Sequence, residues 1–167
     1  MIRKTLVIAI ATPLAACIVQ EPPATPQPQP AFYASLASSG ARADSTSARD
    51  IINGYRANLG LAPLAIDPAL TAFAQASADA MARSGSIGAT RHAPPAERLA
   101  GAGMKVRQAS ENASGGYYTV SDAFSGWRGS PRHDATLRLA SGRRLGIPSS
   151  YNPASKYKVY WTLVVTD

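Results

Sequence analysis

The sequence predicts an α+β domain, and three observations support this fold class. Residues 48–58 and 67–85 carry apolar side chains at helical spacing. Residues 156–166 alternate in the manner of a strand near the C-terminus. Helices therefore come first and a mixture of strands and helices follows, which is the order typical of α+β proteins. A chain of 167 residues suffices for one ordinary domain.

The composition is that of a globular protein with an excess of basic residues. Hydrophobic residues make up 46% of the chain and charged residues 16%, and the formal net charge is +7. A positive charge favours loose contact with anionic surfaces such as lipid headgroups or wall polymers. The basic residues are scattered and no recognition motif accompanies them, so we expect no nucleic-acid partner. Nothing in the sequence indicates an oligomer, and we expect a monomer.

The N-terminus is interpreted as a lipoprotein signal over residues 1–16. Two basic residues precede an apolar run, residues 5–13, which is too short to span a bilayer. The run Leu14-Ala-Ala-Cys17 then resembles a bacterial lipobox, and Cys17 is the only cysteine in the chain. The resemblance implies cleavage before Cys17, a lipid anchor on its thiol and a location in the cell envelope. The alternative is an ordinary signal peptide with a chance cysteine. Ile18 follows in place of aspartate, which by the same resemblance permits the outer membrane and periplasm of a Gram-negative cell.

A tether is predicted over residues 17–45, between the anchor and the domain. Residues 20–30 are dense in proline, which favours the extended polyproline II conformation of a semi-rigid spacer. Phe32, Tyr33 and Leu36 could dock on the domain, but we interpret this stretch as a solvated linker. The folded domain is predicted over residues 46–167.

Two helices open the predicted domain. The first covers residues 48–58 and ends at Gly60. Asp67 followed by Pro68 has the pattern of an N-cap and a first helical residue, and Gly85 ends this second helix. The later elements are predicted, in chain order, as a helical turn at 96–100, a strand at 105–111, helices at 120–128 and 131–140, and strands at 144–148 and 156–166. The last strand is apolar on both faces, which predicts helices on both sides of the sheet.

The order and spacing of several motifs resemble the CAP superfamily, in its bacterial form that is poor in cysteine. These motifs are Asn53-x-x-Arg56, Gly60-Leu61-x-Pro63-Leu64, Asp67-x-x-Leu70, His92, Arg98, Glu111-Asn112, Trp127-x-x-Ser130-Pro131-x-His133, Gly146-Ile147 and Tyr160-Trp161. The resemblance implies a three-layer α-β-α sandwich with a central cleft lined by histidines and acidic residues. By position, His92, Glu111 and His133 match the cleft residues, and Ser130 falls where many eukaryotic members have a second glutamate. The further histidine of those members has no counterpart in this sequence.

Three kinds of chemistry remain open for such a cleft. His92, Glu111 and His133 are a sensible ligand set for zinc with an open fourth position, and a bound water could then be activated for hydrolysis. Alternatively, no metal binds, His133 and Glu111 hold the loops of the cleft, and His92 contacts its lid. A serine hydrolase would need Ser130 activated by a histidine, but Ser130 is more simply a helix cap. Arg98 is expected to pair with a buried carboxylate or with loop carbonyls.

These observations predict a cell-envelope lipoprotein that is more readily a binding module than an enzyme. Its cleft would bind a small ligand, either a lipid or a wall fragment, or a cation. One alternative is a metal-assisted hydrolase that acts on envelope peptide or glycan. A second alternative is a scaffold, without catalytic activity, that contacts envelope proteins through exposed tyrosines. No cofactor is required, and zinc in the cleft is the one candidate.

Overall fold

The computed structural model describes residues 29–89 and 92–167. The predicted signal, Cys17 and most of the proline-rich tether lie outside the described residues. Within the described part of the chain, no helix has the length and apolar character needed to cross a membrane.

The described residues form one five-stranded sheet organised around its last strand. The strands are β1 (Ala65–Ile66), β2 (Ala109–Gly115), β3 (Arg144–Gly146), β4 (Ser149–Tyr151) and β5 (Val159–Thr166). Their order is β1-β3-β5-β2, and β4 also pairs with β5. The partners of β5 are all antiparallel to it, whereas β1 and β3 are parallel. Every residue of β5 is buried.

Helices cover both faces of this sheet. A short 3₁₀ turn (Ala31–Tyr33) precedes α1 (Ser45–Asn58), α2 (Pro68–Ser84), α3 (Pro95–Gly101), α4 (Val120–Arg128) and α5 (Pro131–Leu137). On β5, Trp161 and Leu163 belong to a core shared with α1, α4 and α5, which we call the first helical layer. Tyr160 and Val164 instead pack against residues of α2 and α3, the second helical layer. The α+β fold class is therefore confirmed, with the sheet between two helical layers.

The element boundaries agree with the sequence for α2 and α4 and differ for several others, including α1, which begins at Ser45 after the N-cap Asp44 and not at residue 48. The limits of α4 are those predicted, and α2 runs from Pro68 to Ser84 between its predicted caps. The helix predicted over 131–140 ends at Leu137. Strand β2 begins at Ala109, four residues later than predicted, and β4 was not predicted at all.

The start of α2 is fixed by the carboxylate of Asp67. This side chain accepts hydrogen bonds from the N–H groups of Ala69 and Leu70, at 2.8 and 3.1 Å. Its second oxygen accepts from Nη1 of Arg144 at 3.0 Å, which connects the helix start to β3. Burial acts to raise the pKa of Asp67, but these hydrogen bonds outweigh it and the pKa is lowered. Gly85 ends the helix with a positive φ of 69°, a conformation that glycine adopts without strain.

Arg56 on α1 connects two loops, one after α1 and one after α5, from a fully buried position. Its Nε donates to the carbonyl oxygen of Ala62 at 2.8 Å, and its Nη1 donates to those of Leu137 and Leu139 at 2.8 and 3.1 Å. Its Nη2 donates to the carbonyl of Gly142 at 3.4 Å. Burial lowers the pKa of this guanidinium. Because its partners are all carbonyl groups, Arg56 satisfies backbone acceptors that no strand or helix uses.

The interpretation of residues 32–45 as a solvated linker is wrong for Leu36. This side chain is 4% exposed and belongs to the core of the first helical layer, with Phe32 packed against the same core. The N–H of Leu36 also donates to the carbonyl of Tyr118 at 2.8 Å. Burial of one large apolar side chain is worth enough to hold such a segment in place. Tyr33, which is 48% exposed, is the part of the segment that remains in solvent.

We expect Leu36→Ala to lower the free energy of unfolding by about 2–5 kcal/mol, because it removes a large side chain from a packed core. Urea denaturation of the full chain measures this change. Tyr33→Ala is the control from the same segment and should change stability by no more than about 0.5 kcal/mol, as for a surface substitution. Equal effects of the two variants would contradict docking of this segment.

Asp67→Asn should reduce the pH dependence of stability while leaving an oxygen that can cap α2. The folded-state pKa of Asp67 lies below its unfolded value of about 3.9. Its stabilising effect is therefore complete above that value and is lost as the pH falls through the folded pKa. We expect unfolding free energies measured between about pH 5 and pH 2 to fall more steeply for the unmodified protein than for Asp67→Asn. The Arg107 side chain lowers the pKa of Asp167 to about 2. Because Asp167 titrates in both proteins, its contribution does not affect the difference between the two curves. Parallel curves would contradict the prediction.

Candidate functional site

Strand β2 distributes its side chains to the two helical layers in strict alternation. Glu111 lies opposite Val164 in the register with β5, and Asn112 lies opposite Leu163. Residues directly opposite each other on antiparallel strands point to the same face. Glu111 therefore points towards the second helical layer and Asn112 towards the first. Consistent with this, Asn112 Nδ2 donates to the carbonyl of His133 on α5 at 2.9 Å.

Glu111 is held by Arg98 of α3 in a two-point ion pair. Arg98 Nη1 lies 2.8 Å from Glu111 Oε2 and Nη2 lies 3.3 Å from Oε1. The Glu111 side chain is 4% exposed and that of Arg98 is 15% exposed. Arg98 also donates to Ser77 Oγ of α2 at 2.9 Å, and its guanidinium lies 5.2 Å from the ring centroid of Phe73. The pairing of Arg98 with a buried carboxylate, expected from the sequence, is confirmed.

A cavity of about 350 Å³ opens beside this ion pair. It is lined by His92, Ala93, Pro94, Pro95 and Glu111. His92 is exposed, and its Nε2 lies 3.1 Å from the carbonyl oxygen of Ala89. A carbonyl only accepts, so this contact requires a proton on Nε2, and in the neutral ring Nδ1 is then an acceptor. We refer to this space as the Glu111 cavity.

His133 and Ser130 lie on α5, in the first helical layer. The side chain of His133 is half-buried, and neither residue is among those that line the Glu111 cavity. Ser130 occupies the N-cap position of α5, as predicted, but its side chain makes no capping hydrogen bond. Its carbonyl accepts the first helical hydrogen bond, from Asp134 N–H at 2.8 Å. The structure therefore places His92 and Glu111 in the lining of one cavity, whereas His133 belongs to the opposite layer.

The described side chains do not fit a zinc ion in the way that the sequence suggested. Among residues 29–89 and 92–167, no three His, Cys, Asp or Glu side chains form a group that could hold a metal ion. Both oxygens of Glu111 already face the guanidinium of Arg98, which supplies the positive charge there. Zinc binding by His92, Glu111 and His133 thus stays a prediction without a preformed ligand set.

One residue of this network was not recognised as part of the site from the sequence. Ser77 was placed only on the buried face of α2, because its spacing matches the apolar residues around it. A serine on an otherwise apolar helix face is the signal that was available, since a buried hydroxyl needs a partner. Here that partner is Arg98.

Comparison with protein families identifies this architecture. The model of CAP, the cysteine-rich secretory protein family, matches residues 49–165. The chain belongs to the CAP family. The match includes Arg98, Glu111, Ser130 and His133, and the resemblance expected from the sequence is confirmed.

Solved structures that resemble this CAP domain come from three bacteria. An outer surface protein of Borrelia burgdorferi superposes with a TM-score of 0.64 at 19% identity, over 77% of this chain and 98% of that chain. An extracellular protein of Bacillus anthracis that contains an SCP domain gives a TM-score of 0.60 at 20% identity. A cysteine-rich secretory protein of Staphylococcus aureus gives 0.55 at 19% identity. In the latter two cases the match covers 72% of this chain but only 39% and 37% of the longer proteins. No curated protein matches the chain.

In this CAP domain we expect Glu111→Gln to lower the free energy of unfolding by about 3 kcal/mol, because it leaves Arg98 charged and largely buried without a partner. Urea denaturation measures the loss. The double variant, Arg98→Gln with Glu111→Gln, should lose less free energy of unfolding than the sum of the losses in the two single variants. The reason is that the double variant buries no unpaired charge. Glu97→Gln, at an exposed position of the same helix, is the matched control and should change stability by no more than about 0.5 kcal/mol. Additive effects would contradict a direct Arg98–Glu111 coupling.

Proposed function

We propose that the CAP domain is an envelope binding module whose Glu111 cavity holds a small uncharged ligand, namely a fragment of wall glycan. The observation that carries this proposal is the ion pair in the cavity wall. Arg98 neutralises Glu111, so neither a free anionic site nor a free cationic site faces the ligand. Carboxylate oxygens retain acceptor capacity after pairing with an arginine, which suits hydroxyl and amide donors.

The shape and lining of the cavity support a sugar-sized ligand. A volume of about 350 Å³ corresponds to roughly a dozen waters at about 30 Å³ each, which is close to the size of one substituted sugar ring. Pro94 and Pro95 offer rigid apolar surface, while Glu111 and Nδ1 of His92 offer acceptors on the polar side. A pocket with apolar walls and a few convergent polar groups is the usual arrangement for small-molecule recognition.

The cell envelope as the location rests on the N-terminal sequence and on related proteins. A signal over residues 1–16, with lipidation of Cys17, would anchor the chain to a membrane, and residues 20–30 would act as a spacer. The Borrelia protein is described as an outer surface protein and the Bacillus protein as extracellular. Outer membrane and periplasm would be the location in a Gram-negative cell. The basic charge of the chain suits an anionic wall or lipid surface.

The two alternatives from the sequence have less support. Metal-assisted hydrolysis needs a metal site, and the described residues do not group three ligands. Ser130 does not line the Glu111 cavity, so it is not placed to act as a nucleophile there. The scaffold alternative depends on exposed tyrosines, of which Tyr118 is 40% exposed. Tyr33 is also exposed, at 48%, and exposed tyrosines alone are ordinary for a protein surface.

The proposal is tested by titrating the full chain with N-acetylglucosamine oligomers and with soluble wall fragments, using calorimetry. We expect saturable binding that His92→Ala weakens by about tenfold, equivalent to about 1.4 kcal/mol. His133→Ala is the matched control, because it removes the same side chain from outside the cavity and should leave the affinity unchanged. Absence of binding, or equal loss in both variants, would overturn the proposal.

A parallel zinc titration distinguishes the metal alternative. We expect no saturable zinc binding at micromolar concentrations, since Glu111 is already engaged by Arg98. Zinc binding lost in both His92→Ala and His133→Ala would replace the glycan proposal with a metal site.

A further inference from the structure

A second cavity lies between the C-terminal half of α2 and the segment that begins with β4. Its volume is about 270 Å³. The residues that line it are Asp79, Ala82, Arg83, Ser150, Tyr151, Asn152 and Pro153. None of them lines the Glu111 cavity. We refer to this space as the Asp79 cavity.

Asp79 is held in place by neutral groups. Gln75 Nε2 donates to its Oδ1 at 2.8 Å, and the hydroxyl of Ser150 donates to the same oxygen. Gln75 Nε2 also lies 3.2 Å from the carbonyl oxygen of Ser149 on β4. Neutral donors fix the position of a carboxylate without cancelling its charge. Within residues 29–89 and 92–167, Asp79 forms no ion pair.

Arg83 lines the same cavity and, among the residues that the structure describes, also forms no ion pair. It lies four residues after Asp79 on α2, a spacing at which opposite charges commonly pair on a helix. No such ion pair forms between them, and the exposed guanidinium of Arg83 makes no hydrogen bond to any described residue. Because Gln75 and Ser150 hold the carboxylate, the two opposite charges line one cavity without neutralising each other.

The rim of the cavity is prearranged by Asn152. Its Nδ2 donates to the carbonyl of Ala82 at 2.6 Å, and its Oδ1 accepts from the N–H of Ala154 at 3.0 Å. The segment after β4 is thereby attached to α2. Tyr151 and Pro153 complete the wall with apolar surface. A ligand would pay little to order Asp79 and Asn152, because their hydrogen bonds already fix both side chains.

We propose that the Asp79 cavity binds the α-amino-acid group, in which an ammonium and a carboxylate are both free. The ammonium would contact Asp79 and the carboxylate would contact Arg83. Asp79 would repel a lone anion and Arg83 would repel a lone cation. A zwitterion can instead place an opposite charge against each of these two side chains. The volume corresponds to about nine waters at about 30 Å³ each, which is enough for the α-amino-acid group together with a side chain of several heavy atoms. The group can come from a free amino acid or from a wall peptide that carries a diamino acid.

The test titrates glycine, L-alanine and D-alanine into the full chain and follows backbone amide shifts by NMR. We expect shifts at Ala82, Tyr151 and Asn152 and none at Ala93. N-acetylalanine lacks the ammonium and alanine amide lacks the carboxylate, so each should bind at least about tenfold more weakly, since a hydrogen bond to a charged group is lost. Equal binding of these analogues, or no shift with any amino acid, would overturn the proposal. A second titration uses a wall peptide that contains diaminopimelate. If this peptide binds more tightly than free alanine does, the wall is identified as the source of the ligand.

Two substitutions locate the site. Asp79→Asn keeps the hydrogen-bonding shape and removes the charge, whereas Arg83→Gln changes an exposed side chain that should not affect folding. Each should weaken alanine binding by about tenfold or more. Asp50→Asn and Arg132→Gln, at exposed positions outside the cavity, are the matched controls and should leave it unchanged. His92→Ala should also have no effect, which separates this site from the Glu111 cavity. Undiminished binding in Arg83→Gln would contradict the proposal even if Asp79→Asn proved unstable.

Discussion

The fold depends on the burial of β5 on both faces. All eight residues of this strand are buried, and it pairs with β2, β3 and β4. A strand with no solvent face must have a helical layer on each side, which is the constraint that produces the sandwich. Each candidate site follows from one of these pairings. Register with β2 places Glu111 beneath the second helical layer, and pairing with β4 places Ser150 against α2.

Two arginines show how differently this interior accommodates charge. Arg56 has four carbonyl partners, so its charge is spread over backbone dipoles that need a donor. Such a guanidinium stabilises the loops because it donates several hydrogen bonds to their backbone carbonyl groups. Arg98 instead faces a carboxylate, and the pair is sensitive to the loss of either member. The contacts of Arg56 contribute to the fold. The Arg98–Glu111 pair also determines the charge that the Glu111 cavity presents to a ligand.

The sequence predicted elements that carry their own local signals and missed those that depend on distant partners. Asp67 and Gly85 delimit α2 because capping chemistry is local. Strand β4 has no alternating pattern, and its burial arises only from pairing with β5. Leu36 lies in a short segment whose apolar residues suggested docking as one possibility, but its burial depends on contacts with distant elements that no local pattern reveals. For the site, family resemblance identified His92 and Glu111. It did not reveal the layer to which each side chain points, because that depends on strand register.

Helix α2 lines the Asp79 cavity and supports the ion pair beside the Glu111 cavity, because neighbouring positions on a helix point in different directions. Ser77 and Asp79 are two residues apart on α2, so their side chains are rotated by about 200° relative to each other about the helix axis. Ser77 meets Arg98 of α3, and Asp79 meets Ser150 of β4. One rigid element, fixed at its ends by Asp67 and Gly85, therefore supports a neutralised site on one side and a charged site on the other. The two sites can differ in ligand chemistry because their polar groups are satisfied by different neighbours.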